Sequence, residues 1–242
     1  MIAILSDFGN SEYLGIMKGV IYSICDNPRI IDLCNNINHQ NIKEGAWILL
    51  KSYRHFPKST IFLCVVDPGV GGNRESIAVR TENYFFVGPD NGLMYPAIME
   101  DRIIEVRKLN TESASKTFHG RDVFAKVSAL LENNNTINSL GMKSNVNVKL
   151  EFYKKGREGE VVRIDNFGNI ITNLEHTGKK TYMVFFPHKN INLRLKFFQN
   201  YEEAGNDLFL IESSANTLEI SVKNGNANHL LRINFGDKIE IK

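Results

Sequence analysis

An excess of charge of either sign is missing from this chain. Lys and Arg total 29 against 27 Asp and Glu, a formal net charge of +2, and the balance holds along the length: residues 1–145 carry 15 basic and 15 acidic side chains, the remainder 14 and 12. A nucleic-acid-binding surface needs a concentrated cationic face to displace counterions. Only Lys154 and Lys155 with Arg157, and Lys179 with Lys180, cluster at all, and short runs of this kind read as solvated loops. Long apolar runs are also missing. The longest is the six residues 61–66, far short of a bilayer span, and Met1 leads straight into a strand-like segment without the regions of a signal peptide. The expectation is a cytoplasmic protein that binds neither nucleic acid nor membrane. Cysteine is scarce: Cys25, Cys34 and Cys64 are odd in number, lack C-x-x-C spacing and lie in apolar contexts, so they read as reduced core thiols and not as a disulfide framework or zinc site.

What is present is ordinary globular material. The 242 residues are 43% hydrophobic, 23% charged and 10% aromatic, enough for one large domain or two modest ones. The first half alternates β-branched runs with helical spacing. Residues 2–5, 30–33 and 60–66 read as strands, the last apolar on both faces as a buried strand of a parallel or mixed sheet requires. Between them, Tyr13, Leu14, Ile16, Met17, Val20, Ile21 and Ile24 recur at helical intervals, as do apolar positions over 42–53. Extended runs follow at 77–80, 84–87 and 103–106, then an amphipathic helix over 121–131. After Asn133-Asn134-Asn135 the pattern changes to short strands only, at 161–164, 170–172, 182–186, 192–195, 208–211, 218–222 and 238–241. The reading is an α/β N-terminal domain over 1–145, a mostly parallel or mixed sheet flanked by helices, followed by a small all-β, barrel-like domain over 150–242.

Chemically able side chains collect where strands end. Ser6-Asp7-Phe8-Gly9 follows the first strand, and Asp67-Pro68-Gly69-Val70-Gly71-Gly72-Asn73-Arg74 follows the most apolar one. In open α/β sheets the crevice beyond the carboxyl ends of the strands is the usual ligand site, although Asp after a strand is also a common turn former. The glycine loop is not a dinucleotide fingerprint: the third glycine is replaced by Arg74, the loop leads into a strand, and there is no Walker lysine. His119-Gly120-Arg121-Asp122 opens a helix. Asp122 suits the helix dipole there, while His119, with Asp67 as an orienting carboxylate, is a candidate general base. In the second half Asp165-Asn166-Phe167-Gly168-Asn169, Ser213-Ser214-Ala215-Asn216 and Asn224-Gly225-Asn226-Ala227 read by themselves as turns.

Taken in order, these segments, together with Tyr13-Leu14-Gly15-Ile16-Met17-Lys18-Gly19, Pro89-Asp90-Asn91-Gly92-Leu93 and Leu218-Glu219-Ile220, resemble the S-adenosyl-L-methionine hydroxide adenosyltransferase family, relatives of enzymes that fluorinate or chlorinate the same substrate. The resemblance implies hydrolysis of S-adenosyl-L-methionine to adenosine and L-methionine, with no cofactor and no metal. It implies a homotrimer whose substrate is enclosed by the N-terminal domain of one subunit and the C-terminal domain of its neighbour. Asp67, Arg74 and His119 match the family's catalytic set, and Asp7 the carboxylate that takes the ribose hydroxyls. Asp165 and Ser214 match groups around the methionine ammonium and carboxylate. Asn169, with backbone near Asn226 and Ala227, matches the adenine edge, and Phe118, Phe167 and Tyr201 fall at aromatic walls. Asn35, Gln40 and Ala215-Asn216 depart from the family pattern.

Three other readings compete. A halogenating relative would carry a hydroxylated aromatic in place of Asp67 and would lack His119, and a negative Asp67 repels halide. A metal-dependent phosphoesterase would recruit Asp7, Asp67, Asp90, Asn91 and His119 as ligands. A nucleic-acid-binding barrel would need the basic stripe the sequence lacks.

Overall fold

Strands buried on both faces organise the first half of the chain. A computed structural model describes residues 1–242 and divides into two compact units, Met1–Leu150 and Glu151–Lys242. In the first, β1 (Ile2–Ser6) and β3 (Ile61–Val65) are buried along their whole length. Side chains point alternately to the two faces of a strand, so each strand supplies both sides of the sheet. Ile2, Ile4, Leu63 and Val65 pack with Met17 and Ile21 of α1 (Glu12–Ile24) and Val127 and Leu131 of α4 (Lys126–Glu132). Ala3, Leu5, Phe62 and Cys64 pack on the other face with Ile48 and Leu49 of α2 (Ile42–Ser52) and Ala97 and Ile98 of α3 (Tyr95–Glu100).

The seven-stranded sheet runs β2-β1-β3-β5-β4-β6-β7, with β2 Ile30–Cys34, β4 Ser76–Thr81, β5 Phe85–Pro89, β6 Ile103–Leu109 and β7 Gly141–Lys143. Pairings among β2, β1, β3 and β5 are parallel, and those of β4 with β5 and β6, and of β6 with β7, antiparallel. The mixed sheet expected from the sequence is therefore present. The short α3 and β7 had no periodic signature and were not anticipated. The helix read over 121–131 begins instead as a π-helical turn, Gly120–Ala125, before α4. The turn places Val123, Phe124 and Ala125 in the core.

The second unit is one antiparallel sheet, β11-β10-β14-β8-β9-β13-β12. Its strands are β8 Glu158–Ile164, β9 Ile170–Thr172, β10 Thr181–Phe186, β11 Ile191–Lys196, β12 Leu208–Glu212, β13 Leu218–Val222 and β14 Lys238–Ile241, so every strand read from the sequence is found. A bridge between Phe197, just past β11, and Leu210 of β12 draws the two edges together, leaving the sheet nearly closed around Val161, Tyr182, Val184, Leu210 and Ile220. The segment read as a turn at Asn224 to Ala227 is only partly one: Asn226 caps the helix α5 (Ala227–Leu231), its side chain accepting the His229 N–H at 2.7 Å. No helix is long and apolar enough to cross a membrane.

Candidate active site

Ser6 and Val65 are direct partners at the carboxyl ends of the parallel strands β1 and β3, and Asp7 and Asp67 follow almost at once. Both line a cleft of about 670 Å³ with Phe8, Tyr13, Phe118 and His119. Its aromatic wall is a trio: Phe118 meets Phe8 and Tyr13 edge-on at 5.9 and 5.1 Å between centroids, and the Arg121 guanidinium lies over Phe118 at 5.3 Å. Phe8 and Tyr13 belong to the motifs quoted above but were not singled out, because nothing local distinguishes a cleft aromatic from a core one.

Asp67, Arg74 and His119 do converge, in a sequence of contacts that differs from the expected one. Arg74 lies between the other two. Its Nε donates to Asp67 Oδ1 at 2.9 Å and its Nη2 to Asp67 Oδ2, while Nη2 also lies 2.9 Å from His119 Nδ1. The pairing of Asp67 directly with His119 as base and orienting carboxylate is thus corrected: the imidazole is oriented by the guanidinium. A guanidinium has donors and no acceptor, so Nδ1 accepts and the neutral ring carries its proton on Nε2. Burial, at 5% exposure, and then the Arg74 charge hold the His119 pKa below its ordinary value, with Asp67 and Asp122 opposing. Arg74 is itself fixed from the remaining sides, donating from Nη1 to Ser76 Oγ at 2.6 Å and stacking over the Phe124 ring at 5.4 Å. It sits behind Asp67 and His119, not on the cleft lining.

The glycine loop is what lets Arg74 reach His119. Gly71 has φ +74°, and a Cβ there would fall 2.0 Å from the Lys116 carbonyl oxygen, so the loop packs backbone to backbone against the segment leading into His119. Asp122, in the first turn beyond, accepts from the Ser115 N–H and from Arg121, so it ties the upstream loop to the helix start and does not cap the helix N–H groups.

Asp7 accepts the Gln40 N–H at 2.8 Å. Gln40 is left-handed at φ +63°, so this family departure contributes its backbone to the cleft whatever its side chain. Asn35 is a second brace, its Oδ1 accepting from Ser6 Oγ and its carbonyl from the Gly9 N–H, both at 2.7 Å. Asp90 and Asn91 are engaged elsewhere. Asp90 accepts the Asn147 and Val148 N–H groups, and Asn91 Nδ2 donates to the Val66 carbonyl, so the five-residue ligand set of the phosphoesterase reading does not assemble.

The second unit has its own cleft, of about 590 Å³, lined by Asp165, Phe167, Asn169, Tyr201 and Ser214 among others. Asp165 Oδ1 accepts the Phe167 and Asn169 N–H groups, both at 2.9 Å, and Oδ2 accepts from Asn169 Nδ2 at 3.0 Å. The loop so braced presents Phe167, which is 76% exposed. Asn226 and Ala227 do not line this cleft. Asn226 packs against Gly168, where a Cβ would meet its side chain at 2.1 Å, and Ala227 is buried. Sequence reasoning missed Glu219, quoted as part of a motif but given no role. It is 7% exposed on β13 and accepts from Tyr201 Oη at 2.6 Å and Ser221 Oγ at 3.1 Å. Burial and the neighbouring Asp165 charge push its carboxyl pKa up, and burial with Glu219 pushes the Tyr201 phenol to about 12.

Comparison with known proteins agrees with this geometry. The SAM hydroxide adenosyltransferase N-terminal domain model matches residues 2–141 and the C-terminal domain model residues 159–240. An (R)-S-adenosyl-L-methionine hydrolase of Methanocaldococcus jannaschii is 38% identical over all of this chain and 95% of its own length, and one of Thermus thermophilus 30% identical over 98% and 97%. A fluorinase of Nocardia brasiliensis is 26% identical over 73% of this chain and 72% of its own. Among solved structures, an uncharacterized conserved protein from Thermotoga maritima superposes with a TM-score of 0.93 at 31% identity, covering both chains completely. On the strength of both domain matches and of relatives that share its full length, the chain belongs to the SAM hydroxide adenosyltransferase family.

Proposed function

We propose that the protein hydrolyses S-adenosyl-L-methionine by attack of water on the ribose 5′ carbon, giving adenosine and L-methionine. The observation that carries the reading is the Asp67–Arg74–His119 arrangement at the floor of a cleft that also holds Asp7. In the step, a water oxygen forms the new bond to carbon, the carbon–sulfur bond breaks, and sulfur keeps the electron pair. The leaving group departs as a neutral thioether, so it needs no acid. The attacking water becomes strongly acidic as the new bond forms, so a weak base is enough to take its proton. Asp67 is the group placed to do so, because His119 Nδ1 is already occupied and Nε2 bears a proton. His119 then donates from Nε2 to hold the water in line, and Arg74 biases the site toward hydroxide character from behind.

Asp7 supports the ribose assignment, since a two-oxygen acceptor suits a vicinal diol. Phe118, with Phe8 and Tyr13, would wall the sulfonium side of the cleft. Asp165 and Ser214 would meet the amino-acid portion, Asn169 with backbone near Asn226 and Ala227 the adenine edge, and Phe167 and Tyr201 further aromatic faces. All groups proposed for water and ribose lie in Met1–Leu150 and all those for the amino acid and base in Glu151–Lys242, so neither unit carries a full set. That different subunits of a homotrimer complete one another is what the family resemblance implies. Light scattering should give three chains, and a fully active monomer would refute the assembly. The three free cysteines fit a reducing, cytoplasmic setting.

The test of the reaction is product analysis in heavy-oxygen water with a chelator present. Adenosine carrying the heavy oxygen at its 5′ hydroxyl, in equal amount with methionine, is the expected result. Turnover that a chelator abolishes and a divalent ion restores would displace this mechanism. Halogenation is disfavoured by the Asp67 carboxylate, which lines the place a halide would have to enter.

A further inference from the structure

The cleft of the second unit is lined by Asp165, Glu212 and Glu219, and by no Lys or Arg. A site of that sign is complementary to a cation, and on the reading above the cation available is the α-ammonium of the methionyl group. Asp165 is poorly free to meet it alone. Three hydrogen bonds from its own loop already fall on its two oxygens, of the roughly four lone-pair positions a carboxylate offers. Glu219 is differently placed. Both of its protein partners, Tyr201 Oη and Ser221 Oγ, fall on Oε1. Oε2 has neither of them, on a residue that lines the cleft.

We propose that Glu219 Oε2 is a substrate-binding acceptor that selects for the α-ammonium, with Tyr201 and Ser221 holding Oε1 so that Oε2 faces the ligand. The inference rests on the hydrolase reading and adds to it a specificity-determining residue on β13. Holding a carboxylate in a nearly dry position is costly when the site is empty, and a bound ammonium repays that cost where a neutral ligand does not. The site thereby discriminates by charge as well as by shape. The raised carboxyl pKa of Glu219, caused first by burial and then by Asp165, is the signature of an acidic position that lacks its counter-charge.

The experiment compares full-length wild type with Glu219→Gln, which keeps an acceptor for Tyr201 and removes the charge. Two ligands are used: S-adenosyl-L-methionine and its analogue lacking the α-amino group. Calorimetric binding is measured beside KM and kcat. Glu219→Gln should weaken S-adenosyl-L-methionine by roughly ten- to a hundredfold, the range for a hydrogen bond to a charged group, chiefly in KM. Binding of the deaminated analogue should stay near the wild-type value. Should Glu219→Gln fail to fold, Glu219→Asp carries the test, since withdrawing the carboxylate by one methylene should lower the preference for the amino-bearing ligand. Wild-type preference in the folded variant, or equal weakening of both ligands by it, overturns the assignment. A wild-type protein that binds the substrate with Glu219-dependent preference but does not hydrolyse it would overturn the reaction and leave the Glu219 assignment standing.

Discussion

Arg74 Nη2 stands 2.9 Å from His119 Nδ1, and that single contact sets the tautomer of the imidazole. Because the guanidinium only donates, the ring's remaining proton must sit on Nε2. Nitrogen-resolved NMR of the histidine side chains should show the Nε2–H form for His119 near neutral pH. An Nδ1–H ring would mean that Arg74 does not make this bond in solution.

The same contact has a consequence for pH. Burial and Arg74 depress the folded-state pKa of His119 below 6.5, so the unfolded chain takes up this proton more readily than the folded one. Its contribution to stability is present above pH 6.5 and is lost as pH falls below it toward the folded pKa. Activity should likewise survive through pH 6.5 and fail only lower. Replacing Arg74 with Met removes one of the depressing causes, so the acid limb of any residual activity should move to higher pH. An acid limb unmoved by the change would detach it from His119.

Arg74→Lys tests geometry with charge conserved. An ammonium is a point charge without the planar fork that here spans Asp67, Ser76 and His119 at once. We expect kcat to fall by roughly a hundredfold or more, the scale of losing one preorganised electrostatic donor, with substrate affinity little changed. Recovery of near wild-type turnover by lysine would show that charge alone suffices.

Gly71→Ala should separate the Arg74 loop from the His119 segment. The added Cβ both meets the Lys116 carbonyl at 2.0 Å and occupies a left-handed backbone position, the latter alone costing about 1–2 kcal/mol. A lower melting temperature and a loss of turnover are expected together. Full turnover in a destabilised variant would show that the loop's approach to Lys116 serves folding only.

Asp7→Ala should weaken substrate binding by about 1.5–3 kcal/mol, and wild-type discrimination against a 2′-deoxy substrate should largely vanish in it. If the variant still prefers the ribose form by the wild-type margin, Asp7 serves its loop alone, through the Gln40 N–H.

The strands were legible because their signal is local. Residues 61–65 are apolar at every position, and the short strands of the second half are separated by Gly, Asn and Asp turns. The site was legible as a set of residues but not as a set of contacts. Asp67 and Arg74 lie seven apart on one loop, yet nothing in the sequence says that Arg74 turns toward a histidine 45 residues further on and stands between it and Asp67. Ser76 and Phe124, which fix that guanidinium, look like a strand's first residue and a core aromatic. Glu219 was hidden for a related reason: the alternating pattern Leu-Glu-Ile-Ser-Val reads as a strand with its acid facing solvent, whereas the strand is buried at Leu218, Glu219, Ile220 and Ser221. Its burial depends on Tyr201, which arrives from a distant loop.

The π-helical turn at Gly120–Ala125 bears on how this segment tolerates changes of length. Such a turn holds one more residue than the α-turn it replaces, so it takes up that residue while the chain on either side keeps its phase. Deleting a single residue between Gly120 and Ala125 would let continuous α-helix form with His119 still facing Arg74, whereas the same deletion within α4 would rotate what precedes it by about 100°. For this stretch a one-residue gap is therefore a milder change than it is in the helix that follows.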